Sequence, residues 1–318
     1  FLRETAFSGS VGSVSDNTLT FAGNVGLSIG TPGTYYLEVT SGDNKGQRFD
    51  VDSAGGSTVT LANDGNLYSG APPFNTLIVP DPSSEAPPLP SSLAGDSVVI
   101  RPHWTLGELF PVTGFDATND KATADQVQVY AAGTWTTYWL KNTLPPIWVV
   151  YPNNTLDQAS SVISPGEGMF VNIRNPATPI LAYGEVREND FVRPLGAGYN
   201  LVGGGYPLAQ SANGTVGRAM SKAGAGFFGS LSFKTADSFS IWLGDATAGA
   251  NGYDTYYLLD RPTKSQLWWV QIGDAGLVDK DAVELFTGDG AAFIRVASEL
   301  RGYTMPCPWS ANPLPPSP

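Results

Sequence analysis

At 318 residues the chain exceeds the roughly 250 at which single hydrophobic cores stop growing, so two or three domains are expected. Its 37 glycines, 25 prolines and only 14% charged residues disfavour long solvated helices, and 17 basic against 29 acidic residues leave a net charge of -12 that repels a phosphate backbone. A single cysteine, Cys307, a single histidine, His103, and no apolar run of about 18 residues exclude an internal disulfide framework, a Cys/His zinc site and a membrane-spanning helix.

The expected fold class is therefore all-β with few short helices. A small N-terminal β-barrel or sandwich-like domain precedes two homologous antiparallel β-modules. No cofactor, no metal and no nucleic-acid partner is expected.

In chain order, Phe1-Leu2-Arg3 reads like the end of a strand, which points to an upstream secretory signal that has been removed, or to a trimmed chain. Residues 7 to 61 alternate apolar and polar positions between turn clusters: Val11, Val14, Leu19 and Phe21, then Leu37 and Val39, Phe49 and Val51, and Val59 and Leu61. That period of two predicts half-buried antiparallel strands joined by hairpins at Ser15-Asp16-Asn17, Ser41-Gly42-Asp43-Asn44 and Ala54-Gly55-Gly56. The proline-rich stretch 80–92 cannot enter a central sheet, because proline lacks the donor, and it reads as a surface loop. Ser97 to Arg101 then returns as the last strand of an N-terminal domain spanning 1–105.

The remainder repeats itself. Asp116-Ala117-Thr118 is followed nine residues later by Asp125, and Asp245-Ala246-Thr247 is followed nine residues later by Asp254. Each stretch is followed by a Trp-rich strand, Thr134 to Trp139 and Gln266 to Val270, and then by a Gly-acid-Gly turn, Gly166-Glu167-Gly168 and Gly288-Asp289-Gly290. Two modules are expected, 106–211 and 212–309, ahead of a Pro-rich tail at 310–318. Leu106 to Phe110 and Gly217 to Ala223 mark at most one short helix in each.

Reactive chemistry finds little support in these residues. A nucleophilic triad would have to use His103, which sits between a strand and a short helix, where a hydrogen-bonded structural role is the commoner fate. Glu167, Asp289 and Glu185 are the carboxylates to test for glycoside hydrolysis, yet the first two occupy equivalent glycine-flanked turns. Asp116 and Asp245 lack the alternating ligands of a calcium loop and read as caps or Asx turns. The glycines of Gly196-Ala197-Gly198 and Gly203-Gly204-Gly205 have no Lys-Ser/Thr after them and read as tight turns. Trp135, Trp139, Trp268 and Trp269 are candidate stacking platforms for glycans, with core packing as the simpler account of tryptophans that recur on strands.

Phe7-Ser8-Gly9-Ser10-Val11 with Ser13-Val14-Ser15, Ile100-Arg101-Pro102-His103-Trp104-Thr105-Leu106-Gly107 and the two modules together resemble an uncharacterised family of secreted, β-rich proteins. Its members are about 300 residues long, with many paralogues in verrucomicrobial bacteria. The resemblance covers most of the chain. It implies export to the cell surface or beyond and one further strand ahead of Phe1, and it brings no catalytic residues to transfer. A non-enzymatic, self-assembling structural subunit of a filament or surface layer is the leading expectation, in which Phe1, Leu2 and Phe7 and the tail residues Pro306 and Trp309 contact copies of itself. A monomeric adhesion or glycan-binding module is the alternative, and a carbohydrate-active hydrolase the third.

Overall fold

The computed structural model describes residues 2–62, 68–69, 76–77, 91–131, 134–174, 184–206, 210–211, 228–242, 252–260, 268–273, 284–286, 291–297, 301–305 and 307. Phe1, the loop over 80–90, the helix expected at Gly217 to Ala223, Asp245-Ala246-Thr247, Gly288-Asp289-Gly290, Pro306, Trp309 and the tail 310–318 lie outside the described residues.

The N-terminal domain is a closed barrel. Its strands are β1 (Phe7–Ser15), β2 (Thr18–Phe21), β3 (Tyr35–Val39), β4 (Arg48–Gly55) and β5 (Thr58–Leu61), followed by a two-residue pair, β6 (Tyr68–Ser69) with β7 (Thr76–Leu77), and then β8 (Ser97–Pro102). The barrel order is β1-β2-β5-β4-β3-β8, closed by β8 pairing with both β1 and β3. The alternation seen in the sequence explains the wall: Leu19, Leu37, Phe49, Val51, Val59 and Ile100 point inward and share one core, while Asp52 and Thr60 point outward. Bulges opposite Val11/Ser13 and Val51/Ser53 supply the extra bend that closure needs. Asp16, at φ 49°, makes the left-handed residue of the tight β1–β2 hairpin.

The first module follows directly: β9 (Trp104–Thr105), α1 (Leu106–Leu109), β10 (Gln126–Ala131), β11 (Thr134–Lys141), β12 (Ile147–Val150), β13 (Val162–Ile163) and β14 (Met169–Asn172). The Glu108 carboxylate accepts from the backbone N–H and hydroxyl of Thr105, which starts the single-turn helix. Strands β12-β11-β10-β14 form one antiparallel sheet, and β13 pairs with β9 beside it. Leu106, Phe110, Val127, Leu140, Trp148 and Ile163 fill the core between them, where the Trp148 indole N–H donates to Phe110 O at 2.8 Å.

Strands β15 (Phe191–Leu195) and β16 (Gly198–Gly203) connect to the second module, which comprises β17 (Gln210–Ser211), β18 (Ser238–Trp242), β19 (Tyr253–Leu259), β20 (Trp268–Gln271), β21 (Glu284–Phe286), β22 (Ala291–Val296) and β23 (Arg301–Met305). Its sheet runs β16-β22-β18-β19-β20, with β21 pairing β17 and β15 pairing β23. The order β18, β19, β20, β22 with a β17–β21 pair repeats the order β10, β11, β12, β14 with a β9–β13 pair. The repeating units begin at Trp104 and Gln210. Residues 191–203, expected inside the first module, instead join the second, because β16 finds its ladder along β22 from Gly198↔Val296 to Gly203↔Ala291.

The correspondence between the copies is not the one the Asp-Ala-Thr letters suggest. Asp125, buried, accepts from the N–H of Asp116 nine residues back at 2.7 Å and from the N–H of Arg174 just after β14 at 2.6 Å. Asp237, also buried, accepts from the N–H of Phe228 nine residues back at 2.7 Å and from the N–H of Ala297 just after β22 at 2.8 Å. Inside both loops a hydroxyl pair closes the turn, Thr118 with Thr123 at 2.8 Å and Ser230 with Thr235 at 2.7 Å. Arg174 and Arg295 each cover their loop by donating to its carbonyls, Ala122 and Ala124 in one, Lys234 and Ala236 in the other. Asp254 lies instead on β19, where it accepts from Gln271 at 3.0 Å.

Candidate functional site

Three surfaces stand out. The first is the seat of the N-terminal segment. Leu2 makes a reciprocal pair with Glu185, each N–H donating to the other's carbonyl at 2.8 Å, and its side chain is buried. Ala6 N–H continues the β1–β8 ladder by donating to Ile100 O at 2.9 Å. Between these ends Arg3 ion-pairs with Glu108 at 2.8 Å, donates to His103 O at 3.2 Å and stacks over Trp104 at 5.2 Å, while Arg101 donates to Arg3 O at 2.7 Å and pairs with Glu185. Segment 2–6 thus touches the barrel, the first module and the connector, residues 184–190, together. Leu2 separates two cavities: one of about 180 Å³ bounded by Tyr36, Trp104, Pro165 and Met169, and one of about 410 Å³ bounded by Glu38, Arg101, Glu188 and Asn189.

Beneath this seat lies a buried polar network. Glu38 and Tyr36 point away from the barrel core, yet the connector covers them. Arg187 donates to Glu38 at 2.5 Å and Asn189 to the same oxygen at 3.2 Å, while Arg187 and Arg48 sit over the Phe191 ring at 4.8 and 4.6 Å. Burial, then the Glu38 charge, pushes the Tyr36 hydroxyl up to about 12. Burial likewise raises Tyr206, whose hydroxyl donates to Asn189 O at 2.6 Å. His103 is buried with its Nε2 2.9 Å from Asp50, its ring 4.8 Å from that of Tyr36 and its N–H on Thr34 O. Gly166 lets Phe191 close over this region, having φ 77° and no Cβ where the ring lies.

The second surface is an aromatic seam between the modules. Tyr130 and Trp135 are cross-strand partners in the first sheet with Phe170 beside them, and Trp242, Tyr253 and Phe293 hold the same three places in the second. The contacts cross reciprocally: Tyr130 meets Phe293 at 5.7 Å, Phe170 meets Trp242 at 6.0 Å, and Phe170 meets Phe293 at 6.2 Å. Two repeats in one chain therefore pack as an isologous dimer does, equivalent face on equivalent face. Backbone joins them too, Gly203 N–H donating to Gly166 O at 2.9 Å. Trp135, Trp242 and Tyr199 remain exposed at the margin.

The third surface is apolar and belongs to one copy only. Phe228, Leu231, Phe233 and Ile272 are between 39% and 64% exposed. Counting from the buried Asp125 and Asp237, the first three hold the places of Asp116, Asn119 and Lys121. Ile272 follows Gln271 at the end of β20 as Tyr151 follows Val150 at the end of β12, and in the first module Lys121 covers the Tyr151 ring at 3.9 Å.

These placements revise the residues singled out from the sequence. Leu2 and Phe7 are not an exposed strand: Leu2 pairs within its own chain, and Phe7 opens β1 against Ile100, edge-on to Phe21 at 5.0 Å. Trp139 and Trp269 are buried and cannot stack on a glycan, while Trp268 lies on β20. Trp135 stands in the seam. The Glu167 carboxylate accepts from Ser164 N–H at 3.1 Å, closing its turn, and Glu185 serves the Leu2 seat. Among the described residues no group of three His, Cys, Asp or Glu side chains is placed to hold a metal ion, and no helix is long and apolar enough to cross a membrane. Sequence reasoning missed Glu38, Arg187 and Phe191, whose partners lie far apart in the chain, and Phe170 and Phe293, whose matching places follow from their two sheets.

Compared with family models, curated proteins and solved structures, the chain matches none.

Proposed function

We propose that this chain is an extracellular structural protein, a subunit that assembles with copies of itself into a filament or surface layer. The apolar patch of the second module carries the reading. Three of its four places, those of Phe228, Leu231 and Phe233, are held in the first module by Asp116, Asn119 and Lys121, so the fold does not require them to be apolar, and large apolar side chains left exposed where polar ones would serve suit a contact with another macromolecule. The first module exposes Leu144 and Leu156 instead, with Tyr151 at the place of Ile272. Two unlike apolar surfaces on one subunit suit a head-to-tail contact, which propagates where an isologous one closes. Export is supported by the resemblance of the segments around Phe7 and Ile100 to secreted proteins.

The test is negative-stain imaging and sedimentation of the purified chain over a range of concentrations. Ordered polymers are expected; single copies at every concentration would remove the reading. A glycan-binding role is the second reading, supported by the exposed rings of Trp135, Trp242 and Tyr199 around Phe293. Polymers that form without sugar, together with an empty glycan array, would set it aside.

A further inference from the structure

We infer that the open end of the aromatic seam binds an uncharged polysaccharide whose sugars present flat apolar faces, with Trp135, Trp242 and Tyr199 as the stacking surfaces. This rests on the glycan-binding reading and names the class of glycan and the residues that hold it. It leaves assembly intact, since a surface layer also needs an attachment to what lies beneath it.

The seam is not a closed contact. Phe293 meets five rings, Tyr130 at 5.7 Å, Tyr253 at 5.8 Å, Trp135 at 6.1 Å, Phe170 at 6.2 Å and Tyr199 at 6.4 Å. It is nonetheless only half-buried, and none of those five rings is buried either. Further along the same two sheet faces, Trp139, paired with Gln126, and Tyr257, paired with Ser238, are buried. Each face is thus covered at one end and open at the other, and the aromatic side chains gather at the open end. A ring cluster that served only to join the modules would bury its centre, as the middle of a protein contact does.

The rings are held in place before any ligand arrives. Gly252, at φ 72°, has no Cβ where the six-membered ring of Trp242 lies, and Tyr253 meets the same indole at 4.8 Å. Trp135 is fixed against Tyr130 at 5.0 Å and Phe170 at 5.7 Å. Aromatic side chains immobilised in this way lose little freedom on binding.

The neighbours of the rings select the ligand. Behind each aromatic pair the next cross-strand pair on the same face is uncharged, Gln128 with Thr137 in the first sheet and Ser240 with Thr255 in the second. Their amide and hydroxyl groups suit sugar hydroxyls. Next to Phe170 and Phe293 on these faces stand Asn172 and Arg295, and the Arg295 guanidinium donates to the carbonyls of Phe233, Lys234 and Ala236. That leaves neutral hydrogen-bonding groups beside the rings, and a net charge of -12 that repels an acidic polysaccharide. Sugars with equatorial hydroxyls turn their ring C–H groups outward as flat apolar faces, and these match the exposed aromatic faces.

The experiment titrates the full-length chain with cello-, manno-, xylo- and chito-oligosaccharides, and with polygalacturonate as the acidic probe, following tryptophan fluorescence and calorimetric heat. At least one neutral oligosaccharide is expected to bind. Its affinity is expected to fall by about tenfold in Trp135→Ala and in Tyr199→Ala, and much less in Trp135→Phe, which keeps a ring. Tyr199 lies on the edge strand β16, so its variant still tests the site if Trp135→Ala loosens the seam; melting temperatures equal to wild type establish which variants keep the fold. Undiminished affinity in folded alanine variants overturns the site and leaves a glycan role elsewhere on the chain. Binding confined to polygalacturonate overturns the neutral class and leaves that role too. Binding of no carbohydrate at all removes this inference and the glycan reading together, with self-assembly still standing.

Discussion

Tyr36 is an outward-facing residue of a barrel strand that is nonetheless buried, and its chemistry follows from that position. With the folded-state pKa at about 12 and the ordinary value at 10, the folded chain holds the phenolic proton between these limits while the unfolded chain releases it. Stability is thus unaffected below pH 10 and falls as pH rises from 10 to 12, by about 2 to 3 kcal/mol for a two-unit shift. Tyr206, raised in the same way, adds to the loss. Denaturant unfolding at pH 9 and pH 12 is expected to show the decline, and Tyr36→Phe to make it shallower; an unchanged slope in that variant would mean that the junction opens to solvent. The sequence pattern could not show this burial. Tyr36 and Glu38 alternate with Leu37 and Val39, and period two assigns them to the solvent side, because it registers only the barrel's own core. Arg187, which covers Glu38, lies 149 residues away. The same limit applies to Trp139 and Trp269, where strand alternation alone leaves open which face a second layer covers.

Among the elements, the nine-residue loops closed by Asp125 and Asp237 fix how each module's first long strand enters its sheet. Each carboxylate satisfies two backbone N–H groups, one in the loop and one beyond the neighbouring strand, so it ties three segments together. Replacing either aspartate by alanine takes the partner from two part-buried N–H donors, at a cost of about 1 to 3 kcal/mol. Asp125→Ala is expected to loosen the first sheet and Asp237→Ala the second, so hydrogen exchange should quicken at β10 and β14 in one variant and at β18 and β22 in the other. Uniform acceleration across both sheets in each variant would show instead that the modules unfold as one unit. Part of this was legible: the barrel strands, the single turn of helix at Leu106 and the existence of a repeat are written in alternation and turn residues, but the two Trp-rich strands, β11 and β20, are not counterparts, since β20 holds the place of β12. The register of the repeat was not legible, because the two loops share a carboxylate's geometry and few of the letters around it. The surviving clue is Thr-Ala-Asp, at Thr123-Ala124-Asp125 and again at Thr235-Ala236-Asp237. Asp254 fell into apparent correspondence through a chance match at Asp245-Ala246-Thr247.

At the scale of the whole molecule, the two copies have diverged on their surfaces while keeping their shared face. The reciprocal seam through Tyr130, Phe170, Trp242 and Phe293 uses the contacts that could otherwise join separate modules, so growth of a polymer has to use other surfaces. The patch on the second module is the one whose apolar character the fold does not explain. Leu231→Asp with Phe233→Asp restores polar character at the places of Asn119 and Lys121 and removes two exposed apolar side chains. The change in folding stability is expected to stay within about 1 kcal/mol, because surface substitutions of this kind rarely exceed that. Assembly is expected to weaken by an order of magnitude or more in critical concentration, since a chain of net charge -12 already repels its copies and the variant adds two further negative charges at the contact. Added salt screens that repulsion and is expected to narrow the gap between variant and wild type without closing it, as the lost apolar contact is insensitive to screening. Sedimentation at two salt concentrations measures both parts. Equal critical concentrations for variant and wild type would place the growing contact away from this patch.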